Sequence, residues 1–275
     1  MEQIKLLFLD IDGTIAGNSN EVTTEVKEAI REVQNRGIKV GLATGRMYCS
    51  AKRFHQAIGA DLPIISYNGA WIQNPHDNQM VSHRPLDSDI AQELLTYLRT
   101  STNTSHEKVE VHVYFNDQLY VDAVTKKTDS YIERSGIQVN VVDDLSSLLT
   151  QSPTKLLALS PNSRLIAELL ADLNQRYHGK NLYLTQSNPI YLEATSANVH
   201  KGDAIKYLTE KVFGLSPNQV MAIGDNFNDY TMLQYAGVSV AMGDAPVEVS
   251  AIATYTTGNV EENGVATILR QQFSS

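Results

Sequence analysis

The 275-residue sequence contains a single cysteine, Cys49, which excludes a disulfide framework and a thiolate zinc site. Cations are scarce: Lys and Arg total 22 against 31 Asp and Glu, a formal charge of −9. That balance argues against nucleic acid or an anionic membrane surface as partner, since each is met by a basic face. Long apolar runs are missing too. The N-terminal one, Leu6–Leu9 after Lys5, is far shorter than a signal-peptide core or a membrane span, so the cytoplasm is the expected compartment. The seven histidines are scattered without His-x-x-x-His spacing, and His112 and His200 read as polar surface or capping positions rather than ligands. No repeat or low-complexity tract occurs. No Gly-x-x-x-x-Gly-Lys-[Ser/Thr] loop is present, which excludes a Walker-type nucleotide site.

What is present is a soluble globular composition, 42% hydrophobic and 19% charged, long enough for one large domain or two ordinary ones. Residues 4–14 read Ile-Lys-Leu-Leu-Phe-Leu-Asp-Ile-Asp-Gly-Thr, an apolar run of strand length punctuated by Gly13. Alternate residues of an extended chain project to one side, so Asp10 and Asp12 can face one pocket at the strand's C-terminal edge. Open α/β sheets place their ligands at that edge. A chance Asp-x-Asp-Gly-Thr arises on the order of once per 10⁵ positions at average composition.

Strand and helix patterns alternate at both ends of the chain. A helix is expected over 23–36, with Val26, Ile30 and Val33 at helical spacing and Gly37 as its stop. Strands follow at 38–43 and 63–66, with a helix to about Ile58 between them. After residue 83 the pattern shifts. Strands at 110–115 and 119–122 flank Asn116-Asp117, a hairpin signal. Helices at 88–99 and 163–177 accompany further strands at 139–142 and 155–159. From about residue 188 the alternation returns, with strands at 220–223, 238–241 and 255–257. The expected fold is therefore α/β: a Rossmann-like parallel-sheet core built from residues 1–82 and 188–275, with an α+β domain, 83–187, inserted into it. Such insertions commonly shape substrate access.

Three other places carry candidate chemistry. Thr44-Gly45-Arg46 ends a strand, where a hydroxyl and exposed backbone N–H groups can hold phosphate oxygens; an isolated Thr-Gly also serves as a helix N-cap. Lys201, in Asn198-Val-His-Lys-Gly202, stands at a helix start, against the macrodipole, which hints at an anion beside it. Gly224-Asp225-Asn-Phe-Asn228-Asp229 follows an apolar strand and offers two carboxylates to one hard cation. Asp10, Asp12, Asp225 and Asp229 on neighbouring strand ends would repel one another unless a cation intervened. Oxygen-only donors specify Mg²⁺ rather than zinc. The metal and Lys201 would supply the positive charge that an acidic protein needs for an anionic substrate.

In this order and spacing the four segments resemble the haloacid dehalogenase superfamily of phosphohydrolases, and its Cof-type branch in particular. Asn68-Gly69-Ala70, Lys201-Gly202, Asn228-Asp229-x-x-Met232, Ala236-Gly237, Val240-Ala-Met242 and Glu262-Asn-Gly-Val265 fit that branch. The segment Glu193–Asn198 and Asn226, where many relatives carry glycine, depart from it. The resemblance implies an α/β cap as the inserted domain and Asp10 as the nucleophile that forms an aspartyl-phosphate. Asp12 would protonate the leaving alcohol and then deprotonate water. Mg²⁺ would be held by Asp10, the Asp12 main-chain carbonyl and Asp225, with Asp229 a ligand or its support. Thr44, Gly45, Lys201 and Asn228 would contact the phosphoryl oxygens, and Arg46 either the phosphate or the leaving group. Gly13 and Thr14 read as turn geometry and capping. The implied activity is a Mg²⁺-dependent phosphatase acting on small phosphorylated metabolites, foremost sugar phosphates. The alternatives are a phosphomutase of the same superfamily and a non-catalytic binding protein on the same fold. Oligomeric state is not legible.

Overall fold

The computed structural model describes residues 3–101, 109–178, 182–197 and 199–273; Asn198, quoted above, lies outside them. The chain divides into two units, one formed by residues 1–82 and 200–275, the other by 83–199.

The first unit is built on a five-stranded sheet in the order Tyr255–Thr256, Val238–Ala241, Val220–Gly224, Leu6–Leu9, Lys39–Leu42, parallel at every pairing. Parallel neighbours need long crossovers, and here helices supply them. Thr24–Gln34 begins at Thr23, whose hydroxyl accepts the Val26 N–H. Tyr48–Ile58 ends at Gly59 in a left-handed conformation. Both faces of the sheet are covered, so Leu6–Leu9 is buried along its whole length and reads as an unbroken apolar run. Leu6 and Phe8 pack with Ala222, Ile205 and Met232 in one core cluster. The strand expected at 63–66 forms as Ile64–Ser66, but it meets the parallel sheet only through a bridge from Ile65 to Ala43. It belongs to a separate three-stranded sheet with Trp71–Gln73 and Met80–His83. Those two short strands have too few residues for periodicity to reveal them.

The second unit carries a six-stranded sheet in the order Leu182–Asn188, Tyr191–Ser196, Lys155–Leu159, Glu110–Phe115, Gln118–Val121, Val139–Val141. All pairings are antiparallel except the last, which is parallel. Asn116 and Asp117 both take positive φ, the conformation of a two-residue hairpin turn. Helices Ser88–Ser101 and Ser163–Arg176 contribute Leu94, Leu98, Ile166 and Leu173 to a core with Val111, Val113, Leu156 and Ala158. A third helix, Lys126–Ser135, was not legible in the sequence. The boundary expected at residue 188 is corrected. Tyr191–Ser196 pairs with Leu182–Asn188 on one side and Lys155–Leu159 on the other, so the chain leaves this unit between Val199 and His200.

The reading of His112 as a surface or capping position is also corrected, because the residue is fully buried. It alternates with core residues Val111 and Val113 and so lies on the opposite face of the sheet. Tyr114, Lys155 and Glu193 share that face by register and are buried as well. Lys155 Nζ donates to Glu193 Oε1 at 2.9 Å and lies 4.8 Å from the Tyr114 ring centroid. The Tyr131 ring packs edge-on against His112.

Candidate active site

The candidate site lies within the first unit. Asp10 directly follows the Leu6–Leu9 strand, and Asp225 directly follows its parallel neighbour Val220–Gly224. Neighbouring strands in register bring the two carboxylates to one sheet edge. Asp10, Asp225 and Asp229 each offer an oxygen within 4.8 Å of the others. This approach depends on two glycines. A Cβ on Gly13, which has φ +80°, would stand 2.4 Å from Asp225 Oδ2, and one on Gly224 would stand 2.5 Å from the Asp229 carboxylate carbon.

Lys201 is the first residue of the helix Lys201–Lys206, and the anion its position hinted at is double. Its ammonium, fully buried, donates to Asp10 Oδ1 and to Asp229 Oδ1, each at 2.6 Å. Gly202 makes this placement possible: a Cβ there would lie 2.5 Å from the Thr231 carbonyl oxygen, so the helix can lie close against Tyr230–Tyr235. The Gly202 N–H donates to Thr231 Oγ1. His200 serves as N-cap, with Nδ1 accepting the Asp203 N–H, one of the roles the sequence suggested for it.

Burial and repulsion dominate the electrostatics. Burial, reinforced by Asp229 and opposed by Lys201, pushes the Asp10 carboxyl up to about 7. Burial, then Asp229 and Asp10, raise Asp225 well above the ordinary carboxylate range. Lys201 is held above its ordinary value: burial works against its charge, and the two carboxylates outweigh it. One ammonium does not neutralise three gathered carboxylates. An all-oxygen donor set with surplus negative charge fits a hard divalent cation.

Asp229 has little capacity left for a metal. Its Oδ1 takes Lys201, and its Oδ2 accepts the backbone N–H groups of Asp225 and Asn226 at 2.9 and 3.1 Å. Thr14 does more than cap a turn, since its hydroxyl donates to Asp225 Oδ1 at 3.0 Å. Thr44 is buried, and its Oγ1 accepts the Arg46 N–H at 3.1 Å. The turn 67–69 holds Tyr67, Asn68 and Gly69 at positive φ and is tied to this segment by Tyr67 N–H to Arg46 O and Asn68 N–H to Thr44 O. Asn68 Oδ1 in turn accepts from Asn228 Nδ2 at 3.2 Å. Asn68 was quoted from the sequence only as part of a pattern; the structure gives it the orientation of Asn228.

Asp12 and Arg46 form a separate pair beside this cluster. Arg46 Nε and Nη2 each stand 2.6 Å from one Asp12 oxygen, a two-pronged contact. The Asp12 carboxylate is not among the three that converge on the candidate cation position.

A profile of the family described as haloacid dehalogenase-like hydrolase matches residues 7–269. The chain is 30% identical over 271 residues to YxeH of Bacillus subtilis (strain 168), covering 95% of this chain and 96% of that one. It is 26% identical over 274 residues to the 5-amino-6-(5-phospho-D-ribitylamino)uracil phosphatase YitU of the same organism, covering 98% and 97%. The crystal structure of a haloacid dehalogenase-like hydrolase from Bacteroides thetaiotaomicron superposes with a TM-score of 0.83 at 25% identity, covering 98% of this chain and all of that one. The chain therefore belongs to the haloacid dehalogenase-like hydrolases of the Cof type and is a phosphoric monoester hydrolase.

Proposed function

We propose that the protein is a Mg²⁺-dependent phosphatase of small phosphorylated metabolites, sugar phosphates foremost, working through an aspartyl-phosphate on Asp10. The observation that carries this reading is the convergence of Asp10, Asp225 and Asp229 on one another beside the buried Lys201.

Asp10 is the nucleophile. Lys201 holds one of its oxygens, which leaves the other to attack phosphorus. The Asp12 side chain, on the same loop but outside the carboxylate cluster, protonates the leaving alkoxide and later takes a proton from water. Thr44 accepts the Arg46 N–H and keeps its own hydroxyl hydrogen for a phosphoryl oxygen. The Gly45 backbone, Lys201 and Asn228 bind the remaining oxygens, where charge builds as phosphoryl transfer proceeds. Asp10, the Asp12 main-chain carbonyl and Asp225 would hold Mg²⁺, with Asp229 in support through its contacts to Lys201 and the 225–226 backbone. Bound there, the ion would offset the gathered negative charge and draw a phosphate monoester to an acidic protein. The substrate for which YitU is named carries its phosphate on a ribityl chain, which supports an alkyl phosphate of a polyol or sugar as the class for this chain. No helix among the described residues is long and apolar enough to cross a membrane, in keeping with a cytoplasmic enzyme.

The test is release of inorganic phosphate from a sugar-phosphate panel and p-nitrophenyl phosphate, with and without Mg²⁺. Turnover no greater than that of Asp10→Asn would refute the reading. Isomerised sugar phosphate without net phosphate release would instead favour a mutase.

A further inference from the structure

We propose that Arg46 is a positioning residue for Asp12, not a ligand of the substrate phosphate, and that together with Asn20 it aims the Asp12 carboxylate at the leaving-group oxygen. The inference rests on the reading of Asp12 as proton donor and acceptor.

The geometry separates the two roles. A phosphate-binding arginine presents its N–H fork to open space. Here Nε and Nη2 are both occupied by Asp12, at 2.6 Å each. Nη2 also donates to Asn20 Oδ1 at 2.7 Å, and Nη1 reaches Ser50 Oγ at 3.5 Å. The guanidinium lies 4.6 Å from the Phe54 ring centroid. The Arg46 backbone is pinned at both ends, by Thr44 Oγ1 on its N–H and by the Tyr67 N–H on its carbonyl. The Arg46 side chain is 8% exposed, whereas that of Asp12 is 39% exposed. The arginine is thus the fixed member of the pair, and the carboxylate is the more exposed one.

Each Asp12 oxygen gives a lone pair to the fork. Planar, two-point contact fixes the rotation of a carboxylate as a single-point contact does not. Proton transfer requires a heavy-atom approach of about 2.6–3.2 Å to the leaving oxygen, so a carboxylate free to rotate would spend little time in position. Asn20 takes the third direction of the fork from a loop position at φ 57°, which suits asparagine.

Leaving groups provide the test. p-Nitrophenolate departs without a proton, whereas an alkoxide needs one, and kcat/KM reports the half-reaction in which it leaves. The enzymes compared are wild type, Arg46→Gln, Arg46→Lys and Asn20→Gly, the last chosen because glycine tolerates the left-handed backbone. Each is assayed with Mg²⁺ on p-nitrophenyl phosphate and on the alkyl phosphate that wild type turns over best. The expected result is that both Arg46 variants lose at least about tenfold more kcat/KM on the alkyl ester than on the aryl ester. Asn20→Gly should shift the ratio the same way by less. Equal losses on the two esters, or a wild-type ratio in Arg46→Lys, would mean that Arg46 serves the phosphate or the fold and would overturn the proposal. A wild type that hydrolyses neither ester overturns the phosphatase reading itself, a distinguishable failure.

Discussion

Asp229 Oδ2 accepts the backbone N–H of Asp225 at 2.9 Å, so one carboxylate is spent on shaping the loop that presents the other. The two aspartates are therefore not interchangeable, and their amide variants should separate. Asp225→Asn keeps an oxygen for the Thr14 hydroxyl and removes a buried negative charge that Asp229 and Asp10 oppose. In EDTA this variant should melt at or above the wild-type temperature, and it should lack the rise in Tm expected of wild type on adding Mg²⁺. Asp229→Asn leaves an NH₂ facing either Lys201 or two backbone N–H groups. It should cost about 2–4 kcal/mol of stability and lower phosphatase activity at least about a hundredfold. Calorimetry with and without Mg²⁺ checks both; equal behaviour of the two variants would contradict the division.

Glycine spacing makes a second prediction. Gly13→Ala would place a methyl 2.4 Å from Asp225 Oδ2, at φ +80°, where a side chain is strained as well as crowded. The expected result is weaker Mg²⁺ binding, with loss of Mg²⁺-dependent turnover of about tenfold or more. Hydrogen exchange in the Lys155–Leu159 strand of the other unit should be unaffected. Titration calorimetry with Mg²⁺ and exchange mass spectrometry read the two halves of this statement.

Gly202→Ala tests how Lys201 is set in place. The added methyl would meet the Thr231 carbonyl oxygen at 2.5 Å, which forces the Lys201–Lys206 helix off its neighbour. Overpacking of this kind costs about 1–3 kcal/mol. Turnover should fall further than that loss of stability explains, because the Lys201 ammonium moves with its helix. Activity measured well below the melting transition separates the two effects.

Buried charge in the second unit is a stability matter. Lys155 and Glu193 are both nearly inaccessible, and their pair spans 2.9 Å. Glu193→Gln leaves a buried ammonium half-compensated and should cost about 3–5 kcal/mol. Replacing both, Lys155→Met with Glu193→Leu, should cost less than the single change. A double-mutant cycle in urea gives the answer.

His112 sets an acid limit. Burial, with Lys155 adding to it, lowers its pKa to about 4, and neither ring nitrogen has a hydrogen-bond partner among the described residues. Above the unfolded value of 6.5 the ring is neutral in both states. As pH falls from there towards 4, the unfolded chain takes up a proton that the folded unit refuses, so stability is lost across that window. The loss should reach a few kcal/mol and should flatten in His112→Leu. Urea midpoints followed by exchange in Glu110–Phe115 would show it; an unchanged slope in the variant would assign the acid sensitivity elsewhere.

Legibility in the sequence followed local signals. Asp10, Lys201, Asp225 and Asp229 could be read because each stands at or just past a strand end or at a helix start, and Gly202 and Gly224 directly adjoin Lys201 and Asp225. The helices 24–34 and 163–176 could be read because their apolar stripes run for three turns or more. The role of Arg46 could not, since Thr44-Gly45-Arg46 looks alike whether the guanidinium faces a phosphate or Asp12. Trp71–Gln73 and Met80–His83 are too short for periodicity, and the second unit's far boundary was hidden because Tyr191–Ser196 shows its membership only through strand pairing. His112 was misplaced because alternation in Glu110–Phe115 puts polar residues on a face that is also buried, where a half-solvated strand would leave them in water.

The register of Leu6–Leu9 has a consequence for how the chain is made. The strand's partners are Lys39–Leu42 on one side and Val220–Gly224 on the other, and the second is synthesised only after the whole of the inserted unit. Throughout that interval the emerging chain holds an apolar strand with one edge of backbone N–H and C=O groups unsatisfied, the condition under which strands add to strangers. The inserted unit finds all its sheet partners within its own stretch of chain. A nascent chain whose residue 199 has just cleared the ribosome therefore contains one unit able to pair fully and another waiting for its central neighbour.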